Sequence, residues 1–318
     1  MSASRPALGI DIGGTHTKLG VVDAGGSVLV QEMLPTAAHG DAHLFLEGLR
    51  RRVSQLVDHF SPIGIGFSIP GLLSENRQVI EYNPNTPALV GTDFFQEFKN
   101  FGLPLAFETD LNTPALAEYY FSEIDRNTRL LVAVIGTGLG AALILNGRLL
   151  RIFGGVAGDN GHIILQPGGE ACTAGCRGCA EALVSVAAIE RIYQRSAFAP
   201  DAGLVREAIS QGTPLARAVI QAAAAGDDFA GRIMAEIGGW LGAWLASLSV
   251  MFKPQVMVLC GGVAEAGESL RAPADQAFRQ LAGPAYSERC EVLTGRFCGQ
   301  AGMIGAVVPL FREPENAE

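Results

Sequence analysis

Apolar residues fall in short runs along this chain, and glycine or polar residues recur between them. Residues 7–12, 17–22 and 27–31 are strand-length apolar runs separated by Gly13-Gly14 and Ala24-Gly25-Gly26, which predicts a three-stranded meander. Helical periodicity follows over 43–60, then a strand at 63–67, a helix near 93–100, a strand at 103–107 and a helix from 112 to about 121. The order is βββαβαβα.

Past a polar link at 122–128 the pattern restarts, with a strand at 130–135, the turn Gly136-Thr137-Gly138 and a strand at 140–145. A glycine-rich, cysteine-bearing insertion covers 154–179, and helical segments dominate to 252. A buried strand at 256–259, a helix over 268–281, a strand at 291–293 and a helix from 301 to 311 complete the chain. Two halves that each open on strand, glycine turn, strand read as an internal duplication around a central cleft. The expected division is α/β throughout: a smaller domain, 1–122 plus the closing helix 300–318, and a larger one, 123–299, carrying the insertion 154–181. The short link predicts that the halves hinge.

Length agrees with two domains, since 318 residues exceed the roughly 250–300 at which one core stops growing. With 48% hydrophobic and 17% charged residues the composition is globular. A formal charge of -9 argues against a nucleic-acid partner, and Arg50-Arg51-Arg52 read as a solvated helix face. The uncharged run 237–252 is shorter than the ~20 residues that span a bilayer and predicts a buried helix. Residues 1–6 lack the apolar run of a signal peptide, which makes the cytosol the default. Six cysteines are then reduced thiols. Cys260, Cys290 and Cys298 read as small core residues, whereas Cys172, Cys176 and Cys179 crowd into eight positions and point to a metal.

A Gly13-Gly14-Thr15 turn can bring backbone N–H groups and a hydroxyl up to a phosphate, glycine allowing positive φ and removing the Cβ. Asp11 just before it could hold Mg²⁺. A plain tight hairpin would look the same. Gly136-Thr137-Gly138-Leu139-Gly140 repeats the arrangement, and Gly261-Gly262 follows another apolar strand, where nucleotides dock in open α/β sheets. Three such turns in one chain favour a phosphate site.

Six motifs carry a family resemblance: Asp11 to Lys18, Thr109-Asp110-Leu111-Asn112, Ile135 to Gly140, Gly161-His162, Gly178-Cys179-Ala180-Glu181 and Gly261 to Ala264. In order and spacing they resemble the ROK family of sugar kinases and related repressors, and Gly299 to Ala306 resembles its closing helix. The resemblance implies two actin-like, ribonuclease H-like domains, with ATP and Mg²⁺ gripped by Asp11, Gly13, Gly14, Thr15, Lys18, Gly136, Thr137, Gly138, Gly140, Gly261 and Gly262. It makes Asp110 the base that orients and deprotonates a sugar hydroxyl. By itself Asp110 reads equally as a cap of the helix beginning near Asn112.

His162, Cys172, Cys176 and Cys179 supply four zinc-type ligands for one closed tetrahedral site. The family pattern is C-x-C-G-x-x-G-C-x-E; here Ala174 takes the place of its second cysteine and Cys176 follows two residues later. An iron–sulfur site of similar spacing fits poorly, no parallel barrel pattern surrounding it.

The family holds its sugar with an Asn-Asp pair, a Glu-x-Gly-His motif and a final Glu. This chain matches at Asp110, His162 and Glu181, but has Thr109 for the asparagine and Asp159-Asn160 for the glutamate and its neighbour. Asn85, and less so Ser68, sit on expected loops that could complete the pocket. The leading reading is an ATP- and Mg²⁺-dependent kinase for a primary hydroxyl of a hexose or N-acetylhexosamine, glucokinase-like, with polyphosphate as an alternative donor. A sugar-responsive repressor would need an N-terminal helix-turn-helix domain, whereas the phosphate loop begins near the start. A non-catalytic or sugar-sensing relative without a DNA-binding domain is the alternative. A homodimer is expected, from the family habit and the apolar helix around Trp240 and Trp244.

Overall fold

The computed structural model describes residues 5–36, 40–152, 155–196 and 201–312. In chain order the elements are β1 Ala7–Ile12, β2 His16–Val22, β3 Val28–Pro35, α1 Ala42–Phe60, β4 Ile65–Ile69, the short hairpin β5 Leu72–Leu73 and β6 Ile80–Tyr82, α2 Phe94–Phe98, β7 Leu105–Thr109 and α3 Asn112–Phe121. Then come β8 Leu130–Ile135, β9 Leu139–Leu145, β10 Arg148–Leu149, α4 Ala180–Leu183, α5 Val186–Ser196, α6 Gly203–Ser210, α7 Leu215–Ala224 and α8 Asp228–Phe252. β11 Val256–Cys260, α9 Glu268–Ala282, α10 Pro284–Ser287, β12 Glu291–Thr294, α11 Ala301–Ala306 and α12 Val308–Phe311 follow.

Backbone proximity divides the chain into two units, Met1–Arg126 with Leu149–Gly158 and Gln300–Glu318, and Asn127–Arg148 with Asp159–Gly299. Leu149–Gly158, expected within the second domain 123–299, thus groups with the first unit. Each unit has one five-stranded sheet of matching order, β3-β2-β1-β4-β7 and β10-β9-β8-β11-β12. In both, the first strand pairs antiparallel with the second and parallel with a later one. The duplication seen as a recurring strand–glycine–strand pattern is thus a repeated sheet.

Two strands lie two residues later than expected, because their apolar runs begin before the ladder does. Pro104 has no N–H to give a neighbouring strand, so pairing of β7 begins at Leu105 opposite Ile65. The shift moves Ser68 from an expected loop into β4. The expected helix 301–311 divides at Val307, since Pro309 cannot donate to the carbonyl of Gly305.

In the first unit α1 starts at Asp41, whose carboxylate accepts the N–H groups of His43 and Leu44, and it buries Phe45, Leu46, Leu49, Val53 and Leu56 along one face. Phe67, Phe94 and Phe98 fill the space behind the sheet, with Phe107 stacked on Phe67 at 5.3 Å. The arginine run is not simply solvated: Arg50 pairs with Glu97 and Arg52 with Glu32 of β3.

The second unit is built on α8, 25 residues long and by length and composition able to cross a membrane. It extends beyond the uncharged run 237–252, taking in Asp228, Arg232 and Glu236. Some 61% of its most apolar window is buried within the chain, as in a core helix. Gly238 and Gly242 let α9 lie against it, since a Cβ on Gly242 would stand 2.4 Å from the Ala274 carbonyl oxygen. Trp244 is fully buried there, its indole N–H donating to the Asn160 carbonyl at 2.8 Å. Its place in the core takes it out of any subunit interface.

In the first unit α11 meets the sheet and α3 backbone to backbone. A Cβ would lie 2.1 Å from the Met303 carbonyl oxygen at Gly9, 2.0 Å from that of Ala306 at Gly66, and 1.7 Å from that of Thr113 at Gly305. Gly305→Ala is therefore expected to cost at least ~2 kcal/mol. Gly231→Ala, on α8 with nothing near its Cβ, should instead gain about 0.5–1 kcal/mol. Urea unfolding midpoints of the two variants check this; similar midpoints would refute the close approach.

Candidate active site

Strand register sets four polar side chains in a row across the first sheet. Lys18 lies opposite Asp11, Asp11 opposite Ser68, and Ser68 opposite Glu108. Burial pushes the Asp11 carboxyl above its ordinary value, against the pull of a hydrogen bond from Ser68 and the charge of Lys18. α11 closes over it: a Cβ on Gly302 would lie 2.3 Å from the Asp11 carboxyl carbon.

Asp110 stands just past β7, where its N–H continues the ladder to the Ile69 carbonyl at 3.0 Å. Burial first, and the Asp11 charge second, push its carboxyl from 3.8 up to about 7, against the lowering effect of backbone N–H groups at 110 and 111. Its side chain does not cap α3, which starts after Leu111. The Thr109 hydroxyl instead accepts the Asn112 N–H at 3.3 Å.

The turn at Gly13 to Thr15 is closed by Gly13 N–H to the His16 carbonyl at 3.1 Å. Neither Gly13 nor Gly14 has positive φ, contrary to expectation. Glycine is needed at 13 for room, since a Cβ there would stand 2.8 Å from the His16 oxygen. Gly14 and Thr15 are exposed, and the Asn85 backbone lies beside Gly14, so the structure brings Asp11, Gly13, Gly14, Thr15, Lys18, Asn85 and Asp110 into one unit. Ser68 is buried, bonded to Thr113 at 2.9 Å, and serves Asp11 from below.

Sequence reasoning missed Glu108. This carboxylate is almost wholly buried, and accepts from Thr109 N–H at 3.0 Å, the Asn112 amide at 2.8 Å and the Arg151 guanidinium at 2.5 Å. Arg77 lies 3.9 Å away and donates to the Phe107 carbonyl, while Asn112 also donates to the Gly155 carbonyl at 2.7 Å. The cluster fixes segment 149–158 and the start of α3 against β7. A glutamate inside an otherwise apolar strand was the available signal, since a buried charge requires partners.

In the second unit, Gly136 donates to the Gly138 carbonyl and accepts from Val186 N–H, both at 2.9 Å. Gly261 has φ 91 and abuts the end of β8, 2.3 Å separating its absent Cβ from the Ile135 oxygen. The two glycine turns of this unit, with Thr137 exposed between glycines, therefore adjoin.

His162, Cys172, Cys176 and Cys179 each present a ligand atom, all within 4.8 Å of one another. His162 Nδ1 is 3.7 Å from the sulfurs of both Cys172 and Cys176. Neighbouring N and S ligands of tetrahedral zinc lie about 3.6 Å apart, from bonds of about 2.1 and 2.3 Å. The donor set therefore fits zinc, and the displaced cysteine joins the cluster. Burial leads in pushing the Cys172 thiol up to about 12, with the Glu181 carboxylate adding to it, so a thiolate there calls for a cation.

Of the expected sugar contacts, Glu181 accepts the Leu139 N–H at 3.1 Å and the Cys172 thiol at 3.1 Å. Asp159 is exposed, while Asn160 bonds both the N–H and the carbonyl of Ala141 and so holds its loop to β9. Thr109 is fully buried and its hydroxyl is engaged at α3, so its side chain faces no open site.

A raised Asp110 pKa means that the native state holds its proton more tightly than the unfolded chain. Stability contributed by the protonated form is complete below pH 4 and is lost as pH rises through about 7. Asp110→Asn removes this loss. The variant should match the parent in urea at pH 4 and exceed it at pH 8; a constant difference across that range would refute the shift.

The ROK family signature matches residues 7–312. The glucokinase of Streptomyces coelicolor is 30% identical over 319 residues, covering 97% of this chain and 98% of that protein. The structure of a ROK family glucokinase from Streptomyces griseus in complex with glucose and AMPPNP superposes with a TM-score of 0.83 at 28% identity, over 95% of this chain and 97% of that one. The N-acetylglucosamine repressor of Escherichia coli is 27% identical over 283 residues, 83% of this chain and 65% of that protein. With its signature matched nearly end to end, this chain belongs to the ROK family.

Proposed function

We propose that this sugar phosphotransferase moves the terminal phosphoryl group of ATP, with Mg²⁺, onto a primary hydroxyl of a hexose or N-acetylhexosamine. The observation that carries the reading is Asp110, a carboxylate titrating at about 7 beside a second carboxylate, Asp11. A base of that pKa is half ionised near neutrality and can take a proton from an alcohol as its bond to phosphorus forms. The sugar oxygen attacks the γ-phosphorus, the β,γ-bridging bond breaks, ADP leaves, and the hydroxyl proton passes to Asp110.

Asp11 fits a role as Mg²⁺ ligand, since a cation near it relieves the repulsion that raises Asp110. Mg²⁺ when bound would neutralise charge on the donor phosphates. Exposed Gly14 and Thr15 can offer backbone N–H groups and a hydroxyl to a phosphate, and so, on its own unit, can the turn Gly136-Thr137-Gly138. Zinc on His162, Cys172, Cys176 and Cys179 would staple the loop that carries Asp159 and His162.

The sugar itself is the open part of the reading. Thr109 spends its hydroxyl on α3, and Asp159 is one methylene shorter than glutamate, so hydroxyl contacts at two ring edges differ from the family pattern.

A coupled assay over a panel of neutral and N-acetylated hexoses, with ATP or polyphosphate, tests the reading. Turnover with at least one sugar is expected, kcat/KM falling below about pH 7 as Asp110 takes up its proton. Asp110→Asn should lower kcat about 10²–10⁴-fold with little change in nucleotide affinity. Absence of turnover with every sugar and donor, in protein that binds both, would leave a sugar-binding relative without catalysis. Elemental analysis should find one zinc per chain, lost in Cys176→Ser.

A further inference from the structure

We propose that Glu108 is a positioning residue for Asp110, holding the corner of chain between β7 and α3 on which that carboxyl stands. The assignment rests on the kinase reading and adds the device that keeps the base in place. Asp110 N–H is tied to the Ile69 carbonyl, and Leu111 is already helical at φ -78 and ψ -35, so the base sits where a ladder turns into a helix. Glu108 spans that corner from within the first unit. One of its oxygens accepts both the Thr109 N–H at 3.0 Å and the Asn112 amide at 2.8 Å, a partner on either side of Asp110 in the chain. The Thr109 hydroxyl closes the ring by accepting the Asn112 N–H at 3.3 Å.

A cover lies over this ring. The second Glu108 oxygen accepts from Arg151 at 2.5 Å, and the Asn112 amide also donates to the Gly155 carbonyl at 2.7 Å, so one stretch of chain is tied down at two points. A Cβ on Gly155 would lie 3.4 Å from Arg77 Cδ and 3.6 Å from the Thr109 methyl, which places its backbone beside Thr109. Thr109 and Asn112 are fully buried there, and Glu108 is 3% exposed. Charged hydrogen bonds shielded from water hold their geometry, and a displacement of about 1 Å in a reacting group can cost on the order of 10²-fold in rate. The charges around Asp110 are Asp11 of β1, with Lys18 of β2 beside it, and Glu108 with Arg77 and Arg151; α11 brings glycine to Asp11, and α3 carries its one charge, Glu118, at its far end, bonded to Ser122. Burial leads in raising Asp110, so a loosened corner that admits water should lower its pKa as well as misplace it.

The test follows the Asp110 carboxyl across pH by ¹³C NMR in the full chain, its signal assigned by its loss in Asp110→Asn, beside kcat on whichever sugar the panel identifies. Asn112→Ala breaks the ring without changing any charge. It should lower the Asp110 midpoint by about one unit and kcat about 10–100-fold, with Kd for AMPPNP within about twofold of the parent. Glu108→Ala should act alike, whereas Glu108→Gln keeps an oxygen for Thr109 and Asn112 and should recover most of both. Equal shifts in Glu108→Gln and Glu108→Ala would assign the effect to charge and overturn the proposal. Lower melting temperatures with the parent's midpoint and kcat would make the cluster structural only and overturn it too. Should Glu108→Ala not fold, Asn112→Ala decides by the same two readouts. A parent that turns over no sugar would remove the kinase reading, while the carboxyl midpoints still decide whether Glu108 holds Asp110.

Discussion

Two carboxylates with their sides turned into the protein, Asp11 and Asp110, lie within electrostatic reach of each other, and the first unit is arranged around tolerating them. Among the described residues neither shows a bidentate cationic partner that would relieve it outright. Lys18 and Ser68 ease Asp11, backbone N–H groups ease Asp110, and the latter still titrates near neutrality. The contrast with Glu108 is instructive. Two residues before Asp110, inside β7, it is more thoroughly buried, and Arg151, Asn112 and a backbone N–H all donate to it. One carboxylate is paired with a guanidinium and an amide, while the other has no such pairing in hand and is pushed up towards neutrality.

That push is tolerable because the packing beneath it is rigid. α11 reaches Asp11 at Gly302, the sheet through Gly9 and Gly66, and α3 at Gly305, each at distances that exclude a side chain. Side chains at such positions would push the closing helix away, open the Asp11 carboxylate to water and release the strain on Asp110. Glycines in two roles thus meet here, Gly13 clearing room for the turn's own carbonyl and the others for a helix.

Much of this was legible in the sequence. Periodicity located nearly every long element, because apolar runs of strand and helix length are separated by glycine, and the repeated strand–glycine–strand pattern became a repeated sheet. Strand ends were less legible, since Pro104 has no N–H to extend the pairing of β7, although its carbonyl accepts the Ile65 N–H at 2.9 Å. Cys176, displaced from the family position, still joined its cluster. Glycine geometry was misread: room rather than positive φ explains Gly13, a distinction that rests on the position of the His16 carbonyl. Glu108 escaped notice because its partners, Arg77, Arg151 and Asn112, come from three separated stretches that only folding assembles.

The same consideration limits what a motif position says about a role. Thr109 occupies the place of a family asparagine, and position alone assigns it to the sugar; its hydroxyl instead closes the first turn of α3. This follows from a polar group's need for a partner wherever water is excluded.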